Sequence, residues 1–68
     1  MNNLLNALKR RYEADIACAK ANISVYVEHP VGIGEHSDLV GAIDGEVEKL
    51  CNSEEKLKAL ESHFGKPF

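Results

Sequence analysis

The feature that most constrains the fold of this chain is a single interruption between two segments of helical character. The stretch EHPVGIGEHSD, residues 28–38, holds one proline and two glycines, whereas residues 4–27 hold neither. A residue before proline avoids helical backbone angles, so the first helix should end at about His29. Ser37 is a good N-cap for a second helix, with Asp38 near the positive end of the helix dipole. The sequence therefore predicts helices over about 3–28 and 38–64, joined by a loop over 29–37.

The apolar residues of the first segment recur at intervals of three and four, which is the pattern of an amphipathic helix. The main stripe consists of Leu5, Leu8, Tyr12, Ile16, Ala19, Ile23 and Tyr26 or Val27. A second stripe with mostly small side chains, interrupted by Arg11, runs beside it and consists of Leu4, Ala7, Ala14, Cys18, Ala21 and Val25. One partner helix needs only one stripe, so the second stripe predicts a further neighbour at close approach.

The second segment has the periodicity of another helix, with a polar patch in its middle. Its apolar residues include Val40, Ile43, Val47, Leu50, Leu57, Leu60 and Phe64. A seven-residue repeat among them predicts one helix that continues through the patch. Asn52 with Glu55 offers the alternative of a capping box and a break at that point. Gly65 followed by Pro67 is typical of a helix end.

Two helices of about 25 residues joined by a short loop predict an all-α fold, an antiparallel hairpin that forms one domain over residues 1–68. Folding the chain at the loop sets Ile23 by Ile43, Ala19 by Val47, Ile16 by Leu50 and Leu8 by Leu57. It also places Tyr12 opposite Glu54. The opposite charges that come level across the hairpin are Lys9, Arg10 and Arg11 with Glu54, Glu55 and Glu61.

A chain of 68 residues has too little interior for a large core. Small domains usually need a disulfide, a metal or self-association to be stable. Since one hairpin would leave the small-residue stripe in water, we expect a homo-oligomer, either a four-helix dimer or a higher closed ring. No secretory signal precedes the helices, so Cys18 and Cys51 are expected to be buried free thiols.

Charge and hydropathy exclude two classes of partner. The net charge is −3, and the only basic cluster is the short KRR run, which argues against a nucleic-acid-binding protein. No apolar run approaches the roughly 18 residues of a membrane span. We therefore expect a soluble protein that binds neither nucleic acid nor membranes.

The loop is the most unusual part of the sequence, and we considered it as a binding site. The glycine turn formed by Gly32 and Gly34 could present backbone N–H groups to an anion, although the loop carries no basic residue. His29, Glu35 and His36 could bind a metal, but their spacing matches no ligand motif. A rigid connector is the simplest interpretation. Glu35 beside His36 could act as an acid and a base, but a hairpin offers no enclosed pocket, so no catalytic residue is predicted. No metal or cofactor is predicted either.

Two further glycines follow the loop at the start of the second helix. Gly41 and Gly45 are expected on its outward face, where each costs the helix up to about 1 kcal/mol relative to alanine. They are either tolerated exposed glycines or points of close approach for a partner. Together with the loop they predict a binding surface at this end of the hairpin, formed by His29, Gly32, Gly34, Glu35, His36, Gly41 and Gly45.

The stretch YEADIACAKANISVYVEHPVGIGEHSDLVGAIDGEVEKL resembles a family of short proteins from contractile-tailed phages, including cyanophages. The resemblance spans about residues 4–64 and centres on residues 12–16, on PVGIGEH at 30–36 and on the acidic helix that ends near Phe64. The family often has proline where this chain has Ser37. The resemblance implies a small accessory phage protein in the bacterial cytoplasm, and it implies no activity and no site residues.

These observations predict a non-catalytic binding module that acts on a host or phage protein through its loop end. The alternative is an oligomeric sponge that holds a nucleotide or another phosphorylated small molecule at the GIGEH loops, with Lys20 or Lys49 of a neighbouring chain supplying positive charge. A structural part of the virion is a third interpretation.

Overall fold

The computed structural model describes residues 2–29 and 38–65, which form two α-helices packed against each other. Helix α1 spans Asn3–Glu28, and helix α2 spans Leu39–Phe64. The predicted all-α pair of helices is confirmed, with both helices bounded within one residue of the prediction. Most of the predicted loop, including Ser37, lies outside the described residues.

Local hydrogen bonds explain where α1 begins and ends. The side chain of Asn2 caps the helix, because its Oδ1 accepts a hydrogen bond from the Leu5 N–H at 2.9 Å. At the other end His29 leaves helical geometry with φ −134° and ψ 55°, and its N–H donates to the Val25 carbonyl at 2.8 Å. This departure from helical geometry is what the following proline requires.

Helix α2 has a different start from the predicted one. Asp38 is the N-cap rather than a residue of the first turn, and its Oδ1 accepts from the Gly41 N–H at 2.8 Å. The helix runs without a break through Asn52, so the predicted continuous helix is confirmed over the alternative break. Gly65 caps the end in right-handed geometry, with φ −83° and ψ −18°, and its N–H donates to the Glu61 carbonyl at 2.9 Å.

The seam between the helices follows a seven-residue repeat on both sides. On α1 the half-buried or buried residues are Leu5, Leu8, Lys9, Tyr12, Ile16, Ala19, Ile23 and Tyr26, so the predicted main stripe is confirmed with Tyr26 rather than Val27 at its end. On α2 they are Leu39, Ala42, Ile43, Gly45, Glu46, Leu50, Ser53, Leu57 and Leu60. Ala19 and Leu60, 2% and 7% exposed, are the buried apolar residues among those described.

Two apolar residues of α2 do not face α1 as predicted. Val40 and Val47 are exposed, and the buried positions one residue earlier in the repeat hold Glu46 and Ser53. The reason is geometric, since the seven-residue repeat that begins at Ile43 is flanked by two equally spaced stripes and only one can turn towards α1. The stripe that faces α1 consists of Leu39, Glu46, Ser53 and Leu60, and the exposed one consists of Val40, Val47, Glu54 and Glu61.

Three contacts across the seam fix the register. Lys9 Nζ lies 3.7 Å from Glu61 Oε2, which confirms one of the predicted charge pairs. The Lys56 ammonium lies 5.9 Å from the centre of the Tyr12 ring, so Tyr12 lies beside Lys56 rather than opposite Glu54 as predicted. The third contact joins Asn22 to Glu46. The register at Tyr12 is therefore shifted by about half a turn of α2.

The molecule is a rod with much of its surface open to solvent. Its principal extents are 50 × 16 × 15 Å and its radius of gyration is 15.3 Å, against about 11 Å for a compact domain of this length. Its accessible surface is 5345 Å², whereas about 4,200 Å² is expected of a compact monomer of this size. Cys18 and Cys51 share this exposure, which corrects the prediction of buried thiols.

Candidate functional site

The predicted binding surface is only partly within the structure. Four of its predicted members lie outside the described residues, namely Gly32, Gly34, Glu35 and His36. His29 is exposed at the end of α1, and Gly41 lies in the first turn of α2, so both belong to the same end of the hairpin. The described part of this end therefore consists of helix caps.

The two glycines at the start of α2 have different surroundings. A Cβ atom on Gly41 would collide with the capping carboxylate of Asp38, whose Cγ would lie at 2.8 Å. Glycine at this position leaves room for the N-cap hydrogen bond, which gives it a structural explanation. A Cβ on Gly45 would meet nothing within 4 Å, so no intrachain contact requires glycine there.

A polar cluster lies on the seam one residue beyond Gly45. Glu46 is 9% exposed, and its Oε1 accepts a hydrogen bond from Asn22 Nδ2 at 2.9 Å. Its Oε2 accepts from Lys49 Nζ at 3.1 Å. The Asn22 hydrogen bond, and after it the one from Lys49, hold the pKa of Glu46 below its ordinary value, against the opposing effect of burial.

The cluster is satisfied within the chain. Both carboxylate oxygens of Glu46 have a partner, and none of the buried side-chain polar atoms that the structure describes lacks one. The sequence analysis missed Glu46. The only signal for it was its position seven residues before Ser53, and this signal indicates burial only once it is known which stripe of α2 faces α1. Its role is to join the two helices, since a carboxylate that is already bonded at both oxygens is a poor acid or base.

An apolar cleft of about 260 Å³ opens between the helices at the other end of the hairpin. It is lined by Tyr12, Lys56, Ala59, Leu60, His63 and Phe64. The Lys56 ammonium lies near the Tyr12 ring, and the rings of His63 and Phe64 are 6.2 Å apart at an angle of 56°. The cleft is far from the predicted surface, because α1 begins and α2 ends there. The sequence analysis predicted Phe64 as an apolar residue of the seam and did not predict a cleft.

The small-residue stripe of α1 faces away from α2. Its predicted members Leu4, Ala7, Ala14, Cys18, Ala21 and Val25 are all exposed. Leu4 is the most exposed large apolar residue of the described chain at 81%. The partner helix in this structure thus covers one stripe of α1 and leaves the other free, and a neighbour for the second stripe stays a prediction.

Metal and membrane features are absent from the described part of the chain. Residues 2–29 and 38–65 bring no three histidine, cysteine or carboxylate side chains together as metal ligands. Neither α1 nor α2 is apolar over a length that could cross a bilayer.

No family model, curated protein or solved structure matches the chain. Its function must therefore be argued from its own surfaces.

Proposed function

We propose that this protein is a non-catalytic, homo-oligomeric helical binding module. The observation that carries the proposal is the uncovered surface of the hairpin. Its accessible area exceeds that of a compact monomer by about 1,100 Å², which is more than the roughly 800 Å² that each partner contributes to a standard interface. A self-associated form would bring the molecule back to the burial that a folded protein of this size normally reaches.

The small core supports the same proposal. Two buried apolar residues and two buried polar ones, within the described helices, give little hydrophobic stabilisation to a hairpin of this length. Apolar side chains that stay exposed, such as Leu4, Val25 and Phe64, would add to that core when a neighbour covers them. Self-association is thus part of what would make the fold stable.

The partner we propose is a host or phage protein, bound at the end where α1 ends and α2 begins. Val27 and Val40 are exposed at this end, beside the caps at His29 and Asp38. The resemblance of the sequence to small accessory proteins of contractile-tailed phages supports this role, and we propose that the protein acts in the cytoplasm of the infected bacterium. Lys49, one of the two cations that a phosphate-binding sponge would draw on, is already bonded to Glu46 in its own chain.

The first experiment is native mass spectrometry of the protein purified without denaturation. Closed oligomers of bare chains are expected. A monomer at every concentration would contradict the proposal, and a bound mass of a few hundred daltons per site would replace the binding module with the sponge.

The partner is tested by affinity capture from host cells with the wild type and the Glu35→Ala, His36→Ala double variant. Glu48→Ala, an exposed change in the middle of α2, is the matched control. A host or phage protein retained by wild type and control but lost with the double variant would support the proposed surface. A partner retained equally by all three would exclude it.

A further inference from the structure

We infer that two copies of this chain pack side by side through the edge that holds the apolar cleft. The cleft ends of the two rods lie together, so that α1 of each copy faces α2 of the other. This inference rests on the proposed self-association and names the surface and the arrangement that produce it. The second copy covers the cleft, and the two clefts meet at one end of an antiparallel four-helix bundle.

The contacts within one hairpin define its two edges. One edge, which we name the cleft edge, carries Asn22 bonded to Glu46 and Lys56 against Tyr12. The opposite edge carries the Lys9–Glu61 pair. Side chains three, four or seven residues apart share one side of a helix, so the edge to which any neighbouring position belongs follows from these contacts.

By this spacing exposed residues lie on both edges: Val40 and Val47 precede Glu61 by 21 and 14 residues and belong to the opposite edge, whereas the exposed residues that border the cleft belong to the cleft edge. Leu4 and Leu8 lead at intervals of four to Tyr12, which lines the cleft. Cys18 and Val25 lie four before and three after Asn22, and Gly45 lies four before Lys49. The small-residue stripe of α1, the open space at Gly45 and the cleft therefore border one surface.

The proposed arrangement fills the cleft with apolar side chains. When α1 of one copy faces α2 of the other, the start of α1 lies over the end of α2, which sets Leu4 and Leu8 of the second copy against Phe64. Leu4 is 81% exposed and Phe64 is 58% exposed within one chain. A dry apolar cavity of about 150 Å³ holds a benzene molecule, so a cleft of about 260 Å³ has room for such a side chain.

Charge on the cleft edge is complementary under the same two-fold axis. Asp15 lies seven residues before Asn22, and Lys56 lies seven after Lys49, at about the same height on the rod. Asp15 makes no ion pair with any described residue of its own chain. An axis along the rod brings each Asp15 to Lys56 of the other copy, and the contact is closed because each surface meets itself.

The decisive test uses two charge-reversal variants, Asp15→Lys and Lys56→Glu, alone and mixed. Each alone places like charges across the interface twice, so its dimer dissociation constant should rise roughly tenfold. The mixture pairs opposite charges at both places, so heterodimers should form with an affinity within about threefold of wild type. Native mass spectrometry of the mixture separates the species. Heterodimers no more abundant than a random mixture would overturn the arrangement.

A matched pair of neutral-to-acid changes tests the cleft itself. Ala59→Glu puts a carboxylate on the cleft wall, between Lys56 and His63 on the same helix, so the helix tolerates it. Ala17→Glu makes the same change on α1 towards the opposite edge. Dimer affinity should fall more than about tenfold for the first and stay unchanged for the second, with equal helicity by circular dichroism.

Failure of the proposed function and failure of this inference would give different results. A wild type that is monomeric at all concentrations contradicts the proposed function and this inference together. An oligomeric wild type that ignores Ala59→Glu, or that is broken by Ala17→Glu, leaves self-association standing and overturns only the cleft edge as its surface.

Discussion

At the scale of single residues, Glu46 shows what sequence patterns leave open. It occupies a position of the seven-residue repeat at which a core would normally hold leucine or isoleucine. Nothing in the sequence distinguishes it from the exposed glutamates of α2, because its partner Asn22 is 24 residues away along the chain. A polar residue is accepted at this place because both of its oxygens are hydrogen-bonded.

The lowered pKa of Glu46 predicts a stability that depends on pH. A carboxyl group whose folded pKa is below its unfolded value of 4.5 stabilises the protein above that value, and the contribution is lost as pH falls through the folded pKa. The urea midpoint of the wild type should therefore drop more steeply below pH 4.5 than that of Glu46→Gln. Parallel profiles for the two proteins would show that the cluster adds no pH-dependent stability.

The neighbouring glycines give a matched pair of predictions. Gly45→Ala adds a methyl group into space that is open within one chain, so in the dissociated protein it should raise the free energy of unfolding by up to about 1 kcal/mol. Gly41→Ala should gain little or lose stability, because the new methyl group displaces the Asp38 carboxylate from the cap. Urea denaturation at one fixed chain concentration measures both. A destabilising Gly45→Ala would mean that a partner approaches closely there.

At the scale of the helices, the sequence was sufficient for their existence and bounds. Asn2 and the proline after His29 are local signals, and local signals act without knowledge of the rest of the fold. The face of α2 was harder to predict, because Val40 and Val47 favoured one stripe while contacts with α1 selected the stripe of Glu46 and Ser53. Which of two adjacent stripes is buried depends on the partner helix and cannot be read from one helix.

The N-cap of α2 can be tested separately from its charge. Asp38→Ala removes the acceptor of the Gly41 N–H and should cost about 0.5–2 kcal/mol of unfolding free energy. Asp38→Asn keeps an acceptor oxygen and removes the charge, so most of that loss should be avoided. Equal losses for alanine and asparagine, measured by thermal unfolding, would assign the effect to the helix dipole instead of the hydrogen bond.

The seam depends on few apolar side chains, and Leu60 is the largest of those buried. Leu60→Ala should cost about 2–5 kcal/mol, which is enough to unfold a chain of marginal stability. Val40→Ala is the control, because Val40 is 80% exposed and should change stability by less than about 0.5 kcal/mol. Far-ultraviolet circular dichroism during urea denaturation compares the two. Similar losses would mean that Val40 is covered in solution.

At the scale of the whole molecule, the sequence predicted the hairpin but neither its register nor its open cleft. Tyr12 was expected beside Glu54 and lies beside Lys56. The predicted alignment assumed a simple fold at the loop, whereas the actual one depends on how long side chains such as Lys9 and Lys56 reach across the seam. The excess of accessible surface could not be predicted either, because it depends on how the two helices pack and not on composition.

Self-association predicts a melting temperature that depends on concentration. Dimer formation stabilises the folded state by mass action, so the melting temperature should rise by several degrees over about a hundredfold increase in chain concentration. Scanning calorimetry or circular dichroism measures the shift. Ala59→Glu should show a smaller rise over the same range of concentration, and a wild type with no rise at all would be a monomer.

Because α1 begins beside the point where α2 ends, these two helix ends lie together at the cleft end of the rod, about 39 Å along each helix from its other end. An affinity tag or fluorescent protein fused ahead of α1 or after α2 would crowd the end of the rod at which the two clefts are inferred to meet. Measurements on tagged protein should therefore underestimate the affinity of self-association. When the tag is captured on a surface, the opposite end of the rod should point towards partners in solution.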